Sequence, residues 1–566
     1  MEKKSIVKQK TVLSFKREIK EALLKRKDKI LIIIDDIDRL ASEEIRLIFK
    51  LIKINTDFPN VVYLLSFDPE VIKKALEEQP GIDGRNYLEK IVQVSFDIPL
   101  VKQEKITKIL FEELDRVLAG LPKSSEKMFD QTYWGNIYHS GFKNFFRNIR
   151  DVKRFASSLE FNFKLMFKGE TMEVNPIDFI AIEAIRVFIP DFYSFLRTNS
   201  ELFVSVERDR SGSQENTRKK EIEEAVNKVD ERIREDLKEL LRRLFPQVDG
   251  VFQYGYSSHG HEWIPIWSRQ LKVCSPKFFD AYFTLIPGGD ESELSQFEID
   301  LLLDTVNSQT DFEKIIRDFM EKGKIRKVLE RMEDYTGDST KIPEDSYLSV
   351  VQTLFNISDE LPKDRQGMFD FGSDLQCARI IYQLMRGKNK EKNFTILKEG
   401  VQNSKGLYGP IYMVSLEQEG NEKKKDDLVI VEDDKLKELA EVCLKKIQEH
   451  KDAGTLINNK SFLQILYQWK KWSTSDDWKK YAEKITTENP GLIEFIKFFI
   501  SESYSQTFGD YVGKKKRAFD YEGLNRFISA DQTKTRLEEI KKSNSQLYLD
   551  NQEMINMFLD NFGKKN

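Results

Sequence analysis

Apolar residues in the first hundred positions gather in three short runs, the first of them apolar at every position. The runs are ILIII at Ile30 to Ile34, VVYLLSF at Val61 to Phe67, and IVQVSFDIP at Ile91 to Pro99. A strand apolar at every position is how a strand buried on both faces of a parallel sheet reads. Between the runs the spacing turns helical. Ile6, Val12, Phe15, Ile19, Leu23 and Leu24 share one helical face over residues 5–27. Residues 42–54 predict a helix with Ser42 as N-cap and Glu43 and Glu44 in its first turn. DPEVIKKALEE predicts another, capped by Asp68 with Pro69 at its first position. Strand, helix, strand, helix, strand is an α/β pattern.

After residue 100 the strand signal thins and helical periodicity takes over. RNIRDVKRFASSLEFNFKLMF (147–167) predicts a basic amphipathic helix, and DFIAIEAIRVFIPDFYSFL (178–196) a pair of apolar helices about Pro190. Ile222, Val226, Val229, Ile233, Leu237, Leu240 and Leu244 form one stripe along a charged helix over 219–245, expected to pack on the helical region rather than to form a coiled coil. SGSQENTRKK (211–220), SSHGHE (257–262), IPGGDESE (286–293) and NEKKKDD (421–427) read as loops, and the chain beyond 300 as charged helices without a fixed-period repeat. The expected divisions are an α/β core at 1–105, a helical lid or sensor region at 106–170, a helical domain at 171–300 and a C-terminal helical domain at 301–566.

Composition narrows the classes. The 566 residues are 40% hydrophobic and 33% charged, with a formal net charge of −4, so the chain can bury cores but is no globally basic nucleic-acid binder. No apolar run approaches the roughly 20 residues of a membrane span. Cys274, Cys377 and Cys443 lie far apart without metal or redox spacing, which predicts a reduced, cytoplasmic setting.

The first run ends in Asp35, Asp36 and, after Ile37, Asp38 and Arg39. A parallel strand delivers its last residues to the crevice where α/β sheets bind ligands. Two adjacent carboxylates repel, so a bound cation is a physical reason to keep them together. This is the Walker B arrangement: Asp35 would hold Mg²⁺ through water, and Asp36 would orient or deprotonate an attacking water. The simpler reading is a strand end carrying an Asx turn or a helix cap.

The stretch resembles the Walker B region of the KAP family of P-loop NTPases, with its pattern standing here as Ile32-Ile33-Ile34-Asp35-Asp36-Ile37-Asp38-Arg39. VVYLLSFDPEVIKKAL, GRNYLEKIVQVSFDIP, RNIRDVKRF, DFIAIEAIRVFIPDFY and VCSPKFFDAYFTL are similar to further segments of that family in the same order, over about residues 1–300. The resemblance implies an α/β P-loop NTPase-like core with an incomplete parallel sheet, then a large mostly α-helical region. It implies ATP and Mg²⁺ as cofactors, Asp35 as metal ligand, and Asp36 and Arg150 as catalytic residues. Ser66, Asp68 and Arg154 would bind the cofactor.

One element is not found. The Gly-Lys pairs are Gly323-Lys324, Gly387-Lys388, Gly513-Lys514 and Gly563-Lys564, none followed by Ser or Thr, so no GxxxxGK[ST] loop is present. The expectation is that this Walker A segment lies upstream or on another polypeptide; the other readings are a truncated product and a degenerate relative. The function expected is an ATPase or ATP-driven switch, of a kind found in bacterial anti-phage defence, working as a homo-oligomer beside an effector protein. The alternative is an inactive NTPase-derived scaffold that binds proteins or nucleic acid. The basic helix RNIRDVKRF could also touch nucleic acid; KKWSTSDDWKK is expected to be a charged solvated face and VGKKKRAF a loop, and His259, His261 and Glu262 a loop rather than a zinc site.

Overall fold

The computed structural model describes residues 12–81, 83–205, 213–252, 260–284, 294–363, 372–421, 428–505, 514–543 and 545–563. The chain divides into two compact units, Met1–Leu100 and Val101–Asn566.

In the first unit the aliphatic runs become strands where they find a partner. Helix α1 (Val12–Leu24) leads to β1 (Ile30–Ile34), α2 (Ser42–Asn55), β2 (Val61–Leu65), α3 (Pro69–Glu77) and α4 (Gly84–Glu89). β1 and β2 pair in parallel, Ile30 with Val61 through Ile34 with Leu65. Ile34, Tyr63 and Leu65 pack on a core of Ile45, Phe49 and Ile52 from α2, Ile72 and Leu76 from α3, and Ile91. Tyr87 and Leu88 of α4 pack on the same core, so α2, α3 and α4 lie on one face. Asp68 caps α3, accepting from the Glu70 amide at 2.9 Å ahead of Pro69, as predicted.

Three expectations need correction here. The strands are not buried on both faces: Leu31, Ile33, Val62 and Leu64 are 56, 63, 45 and 48% exposed, because no layer among the described residues covers their side of the sheet. The third run, Ile91 to Pro99, does not form a strand. It has no ladder partner among the described residues, and Val94, Phe96, Ile98 and Leu100 are 66–96% exposed. The N-cap of α2 is Ala41, not Ser42; Glu44 accepts from the Ala41 amide at 3.0 Å, while the Ser42 hydroxyl donates to Glu78 at 2.8 Å.

The second unit is helical, as expected. It begins with α5 (Gln103–Leu118), α6 (Gln131–His139) and α7 (Ile149–Leu165), followed by the short antiparallel pair β3 (Phe167–Lys168) and β4 (Thr171–Met172). The helices α8 (Pro176–Phe188) and α9 (Pro190–Thr198) break at Pro190 as predicted, since proline cannot donate to a continuing helix. The charged stripe over 219–245 is not one helix. It divides into α10 (Ser213–Asn227) and α11 (Glu231–Leu244), because Asp230 accepts from the Arg232 amide and caps a new start. The stripe still faces inward, with Ile222, Val226, Leu237, Leu240 and Leu244 buried, so it packs rather than forming a coiled-coil seam. Residues 211–220, expected as a loop, are helical from Ser213; positions 211 and 212 lie outside the described residues, as do 286–293, 422–427 and His259.

Helices continue from Gln296–Leu303 to Gln552–Asn561, interrupted by an antiparallel hairpin of β5 (Ile500–Ser505) and β6 (Lys514–Phe519). The basic run VGKKKRAF thus ends in a strand and is not a loop throughout. No described helix is long and apolar enough to cross a membrane.

Two hydrophobic cores fill this unit, one from residues between Ile106 and Phe283, the other between Ile299 and Phe558. A polar seam joins them. Buried Glu173 accepts from the amides of Gln296 and Phe297 at 2.6 and 3.2 Å. Asp334 binds Lys277 at 2.9 Å and Arg331 at 2.8 Å, and Arg331 also donates to Gln296 at 2.8 Å. Burial raises both the Glu173 and Asp334 carboxyls above the usual range.

Gly141 marks a tight approach within the first core. Its φ is +111°, and a Cβ there would stand 2.2 Å from the Asp236 carbonyl oxygen. Gly141→Ala is expected to destabilise the fold by about 2–3 kcal/mol, combining left-handed strain with a backbone clash. Urea unfolding followed by circular dichroism measures it, and an unchanged midpoint would contradict the placement.

Candidate functional site

The site is built where two parallel strands end side by side. The Ser66 amide donates to the Ile34 carbonyl at 3.0 Å, carrying the ladder one step past β2 and setting Ser66 beside Asp35. The Ser66 hydroxyl donates to the Asp35 carboxylate, which also accepts from the Asp36 amide at 2.9 Å. These bonds, with the nearby Arg39 charge, hold Asp35 below the usual carboxylate range, so it stays ionised at neutral pH. Asp35, Asp36 and Ser66 are all exposed at the strands' carboxyl ends.

Asp36 bends the chain out of the strand. Its φ of 56° and ψ of 33° are left-handed, a region that Asp enters more readily than most residues with a side chain. The turn carries Ile37 into the core and opens a short 3-10 helix, Ile37–Arg39. Arg39 reaches back to the Asp36 carboxylate at 3.1 Å. That contact gives Arg39 a role the sequence reading left unassigned; the Asp-x-x-Arg spacing on a turn was its signal.

Other predicted residues stand differently. Asp68 is two residues past Ser66, but one carboxylate oxygen is occupied in capping α3. Arg150 and Arg154 belong to the second unit, in the first two turns of α7, whose N-cap Asn148 accepts from the Asp151 amide at 2.9 Å. Both are exposed, and the Arg154 guanidinium lies 5.0 Å from the centre of the Phe188 ring. The structure thus brings together Asp35, Asp36 and Ser66, with Arg39 added.

The donors at the strand ends are hard oxygens, which suits Mg²⁺ and not a thiophilic metal. No cluster of three or more His, Cys, Asp or Glu side chains among the described residues forms a closed metal cage. An ion here would keep most of its water and share phosphate oxygens, the usual habit of Mg²⁺ in nucleotide sites. His261 and Glu262 open a short 3-10 helix, His261–Trp263, while His259 lies outside the described residues; the three cysteines are buried free thiols.

Comparison with known proteins agrees with this geometry over the same stretch. Residues 1–166 match the family described as the KAP family P-loop domain, a shorter span than the 300 residues of the expected resemblance. The chain is 35% identical over 94 residues to the phage T7 exclusion protein of Escherichia coli (strain K12). That match covers 16% of this chain and 13% of the relative's length. No solved structure matches the chain.

Proposed function

We propose, for a chain whose residues 1–166 belong to the KAP family of P-loop domains, that it is a Mg²⁺- and ATP-dependent switch acting in exclusion of phage. The observation carrying the reading is the Asp35–Ser66 pair at the ends of two parallel strands, with Asp36 turned out beside it. Its place in phage exclusion follows the printed name of the E. coli relative and extends that name to this chain.

In this reading a bound magnesium ion supplies charge neutralisation at the phosphates. Asp35 would accept a hydrogen bond from water held by that ion, and the Ser66 hydroxyl would fix the carboxylate's orientation. Asp36 holds the attacking water and takes its proton, and Arg39, 3.1 Å from that carboxylate, keeps it aimed. Arg150 and Arg154 on α7 would sense the terminal phosphate and pass its state to the helical unit, as phosphate contacts do in nucleotide switches. An oligomer working beside an effector protein completes the proposal.

The test is ATP binding and phosphate release by the full chain, alone and co-expressed with a KAP family segment that carries GxxxxGK[ST]. Asp35→Asn is expected to weaken Mg²⁺-dependent ATP binding about tenfold, equivalent to roughly 1.4 kcal/mol, while leaving the Mg²⁺-independent component unchanged. If no nucleotide binds with that segment present, the enzyme reading fails and the scaffold reading stands.

A further inference from the structure

Pro190 does more than break a helix. It ends α8 and turns α9 aside, and α10 packs back against α9. The groove left between them encloses about 610 Å³, within the roughly 300–1,000 Å³ that ligand-binding clefts span. Its floor is apolar. Ile189, Phe192 and Val229 are buried there, with Phe188, Phe195 and Ile233 half-buried beside them. Its rim is acidic. Asp191, Glu221, Glu224 and Asp230 stand exposed, against Lys228 as the single cation among the described residues of the lining.

The four carboxylates are not equivalent. Asp230 is matched by Arg232 and caps α11, and the Arg147 charge also acts on it. Glu224 has only Lys220, 3.9 Å away and exposed. Asp191 and Glu221 have no ion-pair partner among the described residues. The unmatched negative charge therefore sits on Asp191 and along α10 rather than at Asp230. Glu221 and Glu224 lie three residues apart on α10, so they are neighbours on its surface. A single small amine would match one of these carboxylates and leave the floor bare. A helix with Lys or Arg on successive turns, and Leu or Phe beside them, answers both the rim and the floor.

We propose that this groove is a docking site for a basic amphipathic helix of a partner protein. The apolar side chains of that helix insert against Phe192, Phe195 and Ile233. Its basic side chains meet Asp191, Glu221 and Glu224. The Arg154 guanidinium, 5.0 Å from the centre of the Phe188 ring, repels a like charge at that end of the groove. The basic residues of the partner therefore face Glu221 and Glu224, and only apolar ones reach Phe188. Exposed ion pairs add little affinity each, so the buried apolar face supplies the strength and the acids select the partner. The docking needs no nucleotide and is independent of the switch.

The probe is a fluorescein-labelled peptide with leucine on one helical face and lysine on the other, about 18 residues long so that it holds a helix. It is titrated with the full chain without nucleotide and followed by anisotropy. The expected result is saturable one-to-one binding, about threefold or more weaker in half-molar salt. Hydrogen exchange is expected to slow at amides 191–195 and 221–233. Peptides with glutamate for lysine, or serine for leucine, are expected to bind about tenfold more weakly or worse. Glu221→Lys combined with Glu224→Lys, both at exposed positions, should weaken the leucine–lysine peptide about tenfold with the circular dichroism spectrum unchanged. No saturation, equal binding of the leucine-free peptide, protection confined to other segments, or full affinity in the doubly substituted chain would overturn the proposal. So would a dimer of the chain that this double substitution dissociates, since a second copy would then be the occupant.

Discussion

Asp36→Asn is expected to cut phosphate release by about 10²- to 10⁴-fold, the usual contribution of a positioned general base, with ATP affinity held within about threefold. The amide keeps the shape and tolerates the left-handed conformation, since Asn enters that region as readily as Asp. It cannot accept a proton, and it ends the ion pair with Arg39. That pair is exposed on both sides, so the fold loses little with it. The substitution therefore separates chemistry from architecture. Single-turnover release with the phosphate loop supplied is the measurement. Equal rates in both proteins would remove Asp36 from any role with the water, whatever the binding curves show.

The largest loss of stability is expected far from those carboxylates. Asp178 in the first turn of α8 is fully buried, and it accepts from the Tyr133 hydroxyl at 2.6 Å and from the Val273 amide at 2.9 Å. The Lys272 ammonium lies 3.7 Å away, itself nearly enclosed. Burial pulls the Lys272 pKa down, and the Asp178 charge opposes that pull. Asp178→Ala leaves a buried amine, a phenol and an amide unmatched, which is expected to cost about 3–5 kcal/mol. The paired change Asp178→Leu with Lys272→Met removes both charges and should recover most of that loss, since a buried ion pair is often replaceable by apolar groups of like size. Urea midpoints of the two variants decide it. If the double variant is no better than the single one, the stabilisation lies in the hydroxyl and amide bonds alone.

Local chemistry was the most legible part of the sequence. Asp68 ahead of Pro69, the break at Pro190 and the acids ending the first aliphatic run all act within a few residues, and the structure has each of them. What depends on distant partners was not legible. ILIII and VVYLL report that two faces are able to be buried, not that two layers exist. IVQVSFDIP has strand composition, but a strand also needs a neighbour. The stripe over 219–245 keeps its phase across Asp230, so the break there left no gap in the apolar spacing. The hairpin from Ile500 to Phe519 was hidden because ISESYS and KKKRAF are mostly polar or charged. At the site, Asp35 and Asp36 could be placed from the strand end, and Ser66 from its neighbour. The hold of Arg39 on Asp36 is set by a backward turn at one left-handed residue, which no periodicity encodes.

The polar seam between the two cores has a mechanical meaning. Glu173, which accepts from the Gln296 and Phe297 amides, and Lys277, paired with Asp334, hold the halves of the helical unit by directed bonds, while each half keeps its own hydrophobic core. Shearing such a joint exchanges one set of hydrogen bonds for another, or for water, and opens neither interior. The joint is therefore where the helical unit is expected to yield first under denaturant, before either core melts.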